Sequence, residues 1–94
     1  MEKDIEKKFI KAIRHVDGIA LKLVSPSFNG IPDRLVLMPK GKIGFVEIKD
    51  RGKKSRAIQI SRHKKLVMLG FKVFVLDNAE DIEKIIKEIG GDDT

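Results

Sequence analysis

Cysteine, tryptophan and tyrosine are absent from this 94-residue chain, and its aromatic content is five phenylalanines. Without cysteine there is no disulfide framework and no thiolate metal site, so zinc-finger and cysteine-nucleophile chemistry fall away together and any metal must be held by oxygens or histidines. Without tyrosine or tryptophan, base-stacking platforms have little support. No apolar run approaches the ~20 residues of a membrane span, so no membrane partner is expected. The opening MEKDIEKKFIKAI interleaves charge with apolar residues at helical spacing and lacks the continuous apolar segment of a secretory signal. A cytoplasmic or nucleoplasmic location is therefore expected. Internal repeats, low-complexity segments and domain-dividing linkers are also missing.

What is present is a globular balance, 41% hydrophobic and 36% charged, in a length that supports one core burying about 60–68% of the unfolded surface. Residues 1–90 read as a single domain and 91–94 as a frayed tail. The net charge of +6 is unevenly placed: residues 40–65 hold ten basic residues against Glu47 and Asp50, a local +8 that leaves −2 for the rest. Clustered positive charge of this kind suits a polyanion-binding surface, where scattered charge would serve solubility alone.

Ile5, Phe9, Ala12, Ile13 and Val16 recur at helical spacing, predicting a first helix over 3–16 that Gly18 breaks. IALKLV (19–24) reads as a strand. RLVLM and KIGFVEIK read as a hairpin joined through PKG, with Pro39 opening the turn and Gly41 taking positive φ. Ser55 is a candidate N-cap for a helix running to Gly70. FKVFVL is a strand, and Asn78 can cap a last helix carrying Ile82, Ile85, Ile86 and Ile89, stopped by Gly90 and Gly91. The order αβββαβα predicts an α/β (α+β) fold, a mixed β-sheet flanked by helices, with the last strand joined parallel through a right-handed crossover.

The hairpin carries charge where apolar residues are expected. Along its second strand Ile43, Phe45, Glu47 and Lys49 share one face. If paired residue numbers sum to 80, Asp33 lies opposite Glu47 on that face; a sum of 81, or a bulge at Gly44, would separate them. Opposed carboxylates are unfavourable unless a cation bridges them, and two hard oxygen ligands suit Mg²⁺ or Mn²⁺. Lys49, one pleat away, can orient an attacking water and stabilise charge at phosphorus, which is a phosphodiesterase layout. Taken singly, Pro-Asp is usually a turn and Glu-X-Lys a solvated strand face.

Pro32-Asp33 with Glu47-Ile48-Lys49 resembles the PD-(D/E)XK nuclease superfamily. Gly30 to Leu35, Phe45 to Lys49, Ser55, Gln59, Leu66 and Gly70 together resemble its virus-type replication-repair nuclease (VRR-NUC) branch, over nearly the whole chain. The resemblance implies a restriction-endonuclease-like core, Asp33 and Glu47 as metal ligands with the Ile48 carbonyl, and Lys49 as the catalytic lysine. It also implies a first-helix glutamate, for which Glu6 fits and Glu2 competes. Gln59 falls beside Leu66 on the inward side of its helix, where the amide could hydrogen-bond the site; otherwise it is helix surface.

His15 reads as a cation near a helix C-terminus and His63 as an exposed or phosphate-contacting residue, neither as part of a ligand set. Arg51, Lys53, Lys54 and Arg56 follow the active strand, and Arg62, Lys64 and Lys65 extend the basic surface; all seven are candidates for gripping the phosphate backbone of DNA without reading bases. The expectation is a Mg²⁺-dependent (or Mn²⁺-dependent) endodeoxyribonuclease. By resemblance it would be a homodimer cutting branched DNA, four-way junctions or flaps, in the cytoplasm of a bacterium or phage-infected cell. Apolar residues on several sides of the middle helix (Ala57, Ile60, Val67, Met68, Leu69) fit a dimer. The competing expectation is a non-catalytic, basic nucleic-acid-binding module acting with a partner protein; a purely structural interaction domain explains neither the clustered charge nor the opposed carboxylates.

Overall fold

A computed structural model describes residues 1–90. The elements run α1 (Glu2–His15), β1 (Ile19–Lys22), β2 (Arg34–Met38), β3 (Lys42–Ile48), α2 (Ala57–Met68), β4 (Lys72–Leu76) and α3 (Ile82–Gly90), the order expected from the sequence. The tail at 91–94 lies outside the described residues. No helix among the described residues is long and apolar enough to cross a membrane.

The four strands form one mixed sheet in the order β1-β2-β3-β4. The first two pairings are antiparallel, and β4 returns parallel to β3 after α2. In the hairpin Arg34 pairs with Val46, Val36 with Gly44 and Met38 with Lys42, so the numbers sum to 80 and no bulge interrupts Gly44. Gly44 is glycine because α3 crosses it: a Cβ there would stand 2.6 Å from Cγ1 and 2.8 Å from Cδ1 of Ile89. In the turn both Lys40 (φ 68°) and Gly41 (φ 73°) are left-handed, where the sequence suggested Gly41 alone. Two consecutive left-handed residues let a tight reversal match the right-handed twist of the strands it joins.

The core occupies one side of the sheet. Ile5, Phe9 and Ile13 from α1, and Ile82, Ile85 and Ile89 from α3, close over Val36, Val46, Ile48 and Leu76. Each such side chain stabilises the fold by about 1.5–3 kcal/mol through its burial. On the opposite side lie Asp33 and the β3 row Phe45, Glu47 and Lys49, with Val73 and Val75 of β4 in register beside Phe45 and Glu47. The helix over that side, α2, buries one residue only, the polar Gln59; Ile58, Ile60, Val67, Met68 and Leu69 remain exposed, Met68 to 82%.

Element ends depart from expectation where tertiary contacts decide them. The first helix ends through the left-handed Asp17 (φ 63°), while Gly18, buried against Met38 and the Leu37 carbonyl, donates its N–H to Ile13. β1 stops at Lys22. The N-cap of α2 is Arg56 and not Ser55, because the Gln59 Oε1 accepts the Arg56 N–H at 2.8 Å. Asn78 caps the short 3-10 turn Ala79–Asp81 ahead of α3, its Oδ1 accepting the Glu80 N–H at 2.9 Å.

Overpacking Gly44 tests this architecture. Gly44→Val should cost about 1–3 kcal/mol in denaturant unfolding, and combining it with Ile89→Ala should cost less than the sum of the two single losses. Simple addition of the two single costs would show that Ile89 is not the obstacle.

Candidate active site

The open end of the β2–β3 hairpin brings the charged residues together. One residue beyond the last ladder pair, Asp33 stands across from Glu47, as a sum of 80 requires. Its carboxylate replaces a strand neighbour: Oδ2 accepts the Ile48 N–H at 2.8 Å, while its own carbonyl accepts the Leu23 N–H at 2.8 Å. Pro32 beside it is fully buried. The loop leading in is docked on α2 at two points. Gly30 (φ 85°) lies so close to the Ile58 carbonyl that a Cβ would come within 2.9 Å of its oxygen. Arg62 stacks its guanidinium 4.1 Å from the Phe28 ring centre and donates Nε–H to the Asn29 carbonyl at 2.7 Å.

Glu47 is 2% exposed. Its Oε2 accepts from Gln59 Nε2 at 2.8 Å and faces Lys49 Nζ at 3.2 Å, whereas its Oε1 is buried without a hydrogen-bond partner. Gln59 is thereby satisfied at both ends, its oxygen on the helix start and its nitrogen on the site. Burial first, and then the Asp33 carboxylate beside it, push the Glu47 carboxyl above its ordinary 4.5, against the opposing pull of Lys49.

Glu6 is elsewhere. Its Oε2 accepts from Arg34 Nε at 3.0 Å and Nη2 at 2.9 Å, and Arg34 also donates to the Ala20 carbonyl at 3.1 Å. Arg34 pairs with Val46, on the core side of the sheet, so Glu6 is tied to the side opposite Asp33 and Glu47. Among the described residues no group of three or more His, Asp or Glu side chains is placed to hold a metal. The three-carboxylate set expected of Glu6, Asp33 and Glu47 is thus not assembled in this structure. Glu2, the competing glutamate, is exposed, and its backbone N–H donates to the Asp50 side chain. Ile48 buries its side chain in the core and gives its N–H to Asp33.

The residues that do converge fit a hard divalent cation: two opposed carboxylates, one with a buried oxygen lacking any donor, are the chemistry such an ion neutralises. Sequence reasoning missed one member of the cluster. His63, one helical turn after Gln59, has a buried Nε2 with no hydrogen-bond partner. Burial and then the charge of Lys49 hold its ring below its ordinary basicity, opposed by Asp33. The i, i+4 spacing from Gln59 was the available signal. His15 lies exposed in the last turn of α1, as expected. Arg51, Lys53, Lys54, Arg56, Lys64 and Lys65 are exposed, whereas Arg62 is turned onto the Phe28–Asn29 loop.

No family model matches the chain. A solved structure described as "VRR_NUC domain" superposes with a TM-score of 0.86 at 31% identity, covering 92% of this chain and 94% of that one. The chain belongs to the VRR-NUC family. A second relative, "Putative nuclease p44" of Acyrthosiphon pisum secondary endosymbiont phage 1, is 44% identical over 88 residues, 94% of each protein. The mixed four-stranded sheet with three helices is the VRR-NUC fold, so the resemblance carried by Pro32-Asp33 and Glu47-Ile48-Lys49 is a true family relationship.

The raised Glu47 carboxyl carries a linkage. The folded state binds that proton more tightly than the unfolded chain, so the ionised carboxylate costs stability as pH rises through the folded pKa, a cost absent below about 4.5. Glu47→Gln should therefore raise the melting temperature of the metal-free protein at pH 8, with each 1 kcal/mol registering as about 4–8 °C. The advantage should shrink on titration toward pH 5. A variant that melts lower at pH 8 would contradict the buried-carboxylate account.

Proposed function

We propose that this VRR-NUC protein is a divalent-metal-dependent endonuclease that hydrolyses phosphodiester bonds in DNA. The observation that carries the reading is the buried Glu47 carboxylate, opposed to Asp33, with one oxygen unpartnered and the Lys49 ammonium 3.2 Å from the other. Asp33 and Glu47 would hold Mg²⁺ or Mn²⁺, with the Ile48 carbonyl as a further donor. When bound, such an ion activates a water and neutralises charge on the phosphate.

The chain's own residues do the rest. Asp33 is aimed by the Ile48 N–H, and Glu47 by the Gln59 amide, which is itself fixed by the start of α2. Lys49, mostly shielded from solvent, keeps an ammonium beside Glu47, where it can orient the attacking oxygen and stabilise the phosphorane. The exposed Arg51, Lys53, Lys54 and Arg56 follow directly in sequence and supply phosphate contacts without base readout. Glu6 would join the metal only by leaving Arg34.

Substrate and assembly extend the same reading. We infer cutting of branched DNA by a homodimer in the cytoplasm of a bacterium or phage-infected cell. Support for the dimer comes from the exposed apolar surface of α2 and the adjacent β4 face, Ile60, Val67, Met68 and Val75, which is larger than isolated surface leucines or valines require.

Cleavage of labelled duplex, flap and four-way-junction DNA with Mg²⁺, Mn²⁺ or EDTA tests the activity. Wild type should cut only with metal, and Asp33→Ala and Lys49→Ala, confirmed folded, should each lose at least about 10²-fold. Glu6→Gln should retain more activity than Asp33→Ala if Arg34 is its true partner. Binding without cutting under either metal, unchanged in the variants, would replace the nuclease with a binding module. Met68→Glu should convert a dimer to a monomer in size-exclusion chromatography with light scattering.

A further inference from the structure

Lys49 has three N–H donors and faces Glu47 Oε2, an oxygen that also takes the Gln59 amide. A cation at the unpartnered Oε1 draws charge from the whole Glu47 carboxylate and weakens Oε2 as an acceptor, so the ammonium is held less firmly there. The same cluster contains the opposite deficiency. His63 Nε2 is shut off from solvent and has no hydrogen-bond partner, an arrangement that costs stability when it persists. Lys49 and Asp33 are the charges that bear on its ring. Gln59 and His63 stand one turn apart on α2, so the helix presents an amide to Glu47 and an imidazole next to it. A neutral imidazole offers one acceptor nitrogen; beyond it toward β4 the groove is lined by the apolar Ile60, Val67, Val73 and Val75, and its own donors are Ser55 and Lys64.

We propose that His63 is a positioning residue whose buried Nε2 is the second acceptor for the Lys49 ammonium, holding that lysine in place when the Glu47 carboxylate is engaged by the metal. The inference rests on the metal-binding part of the nuclease reading, because the contact forms once the metal engages Glu47. His63 does not touch the reacting atoms; it acts through Lys49.

Two measurements separate the contact from the activity. Long-range ¹H–¹⁵N spectra of the protein, metal-free and with Mg²⁺, should show His63 Nε2 as a hydrogen-bonded acceptor once Mg²⁺ is added, and Lys49→Met should return it to the position of a free pyridine-type nitrogen. A free-acceptor position in wild type under both conditions, or an Nε2–H resonance, would overturn the proposal even if the protein never cuts DNA. In single-turnover cleavage, His63→Leu should slow the chemical step about tenfold at unchanged DNA affinity and with a melting temperature no lower than wild type, the loss of one hydrogen bond to a charged group. His63→Gln, which keeps an acceptor on a flexible arm, should recover most of that rate. Equal rates for Leu and Gln, whether both slow or both normal, would show a packing role or none and overturn the assignment.

Discussion

A carboxylate buried on a sheet, opposite a second carboxylate, is the constraint around which this protein is arranged. Glu47 cannot be left in a dry interior without partners, and Gln59 and Lys49 satisfy only one of its two oxygens. Because the Gln59 amide also closes the first turn of α2, the helix start and the carboxylate face of the sheet are one hydrogen-bonded unit. Moving either would unsettle both. The helix is otherwise weakly held, since its apolar residues lie largely outside, and this polar link is a main reason it sits where it does.

The division of labour between the two sides of the sheet follows from size. A chain this short supports one close-packed core, and α1 and α3 build it on the side of Val36, Val46 and Ile48. The other side is free to hold groups that cost stability in exchange for reactivity. Strand alternation connects them: Ile48 anchors β3 in the core, and the residues before and after it, Glu47 and Lys49, are thereby aimed at the opposite face. The Ile48 N–H, given to Asp33, ties the second carboxylate to the same anchor.

Much of this was legible in the sequence because it depends on local rules. The element order came from apolar periodicity, and the pairing of Asp33 with Glu47 came from a turn centred on Lys40 together with unbroken alternation. What escaped depends on contacts between distant segments. Glu6 looks like a site residue until Arg34, on the core side, claims it. Ser55 has the better capping side chain, but the Gln59 amide sets the helix start one residue later. His63 looks like surface because only the packing of α2 on the rest of the chain buries Nε2. Gly44 suggested a bulge, yet its reason is the passage of Ile89, which nothing near it in the sequence announces.

The turn at Pro39–Gly41 has a consequence of a different kind. It caps the end of the hairpin remote from Asp33, separated from Glu47 by most of β3, about 20 Å at the usual rise per residue. Pro39, Lys40 and Gly41 are all exposed, and the left-handed Gly41 (φ 73°) has no atom within 4 Å on its Cβ side. The loop tip is therefore a natural point of attachment: a fluorophore, a tether or a grafted domain inserted there would ride on the same rigid ladder as the carboxylates without obstructing them, making the hairpin a lever through which the position of the carboxylate pair could be tracked or redirected.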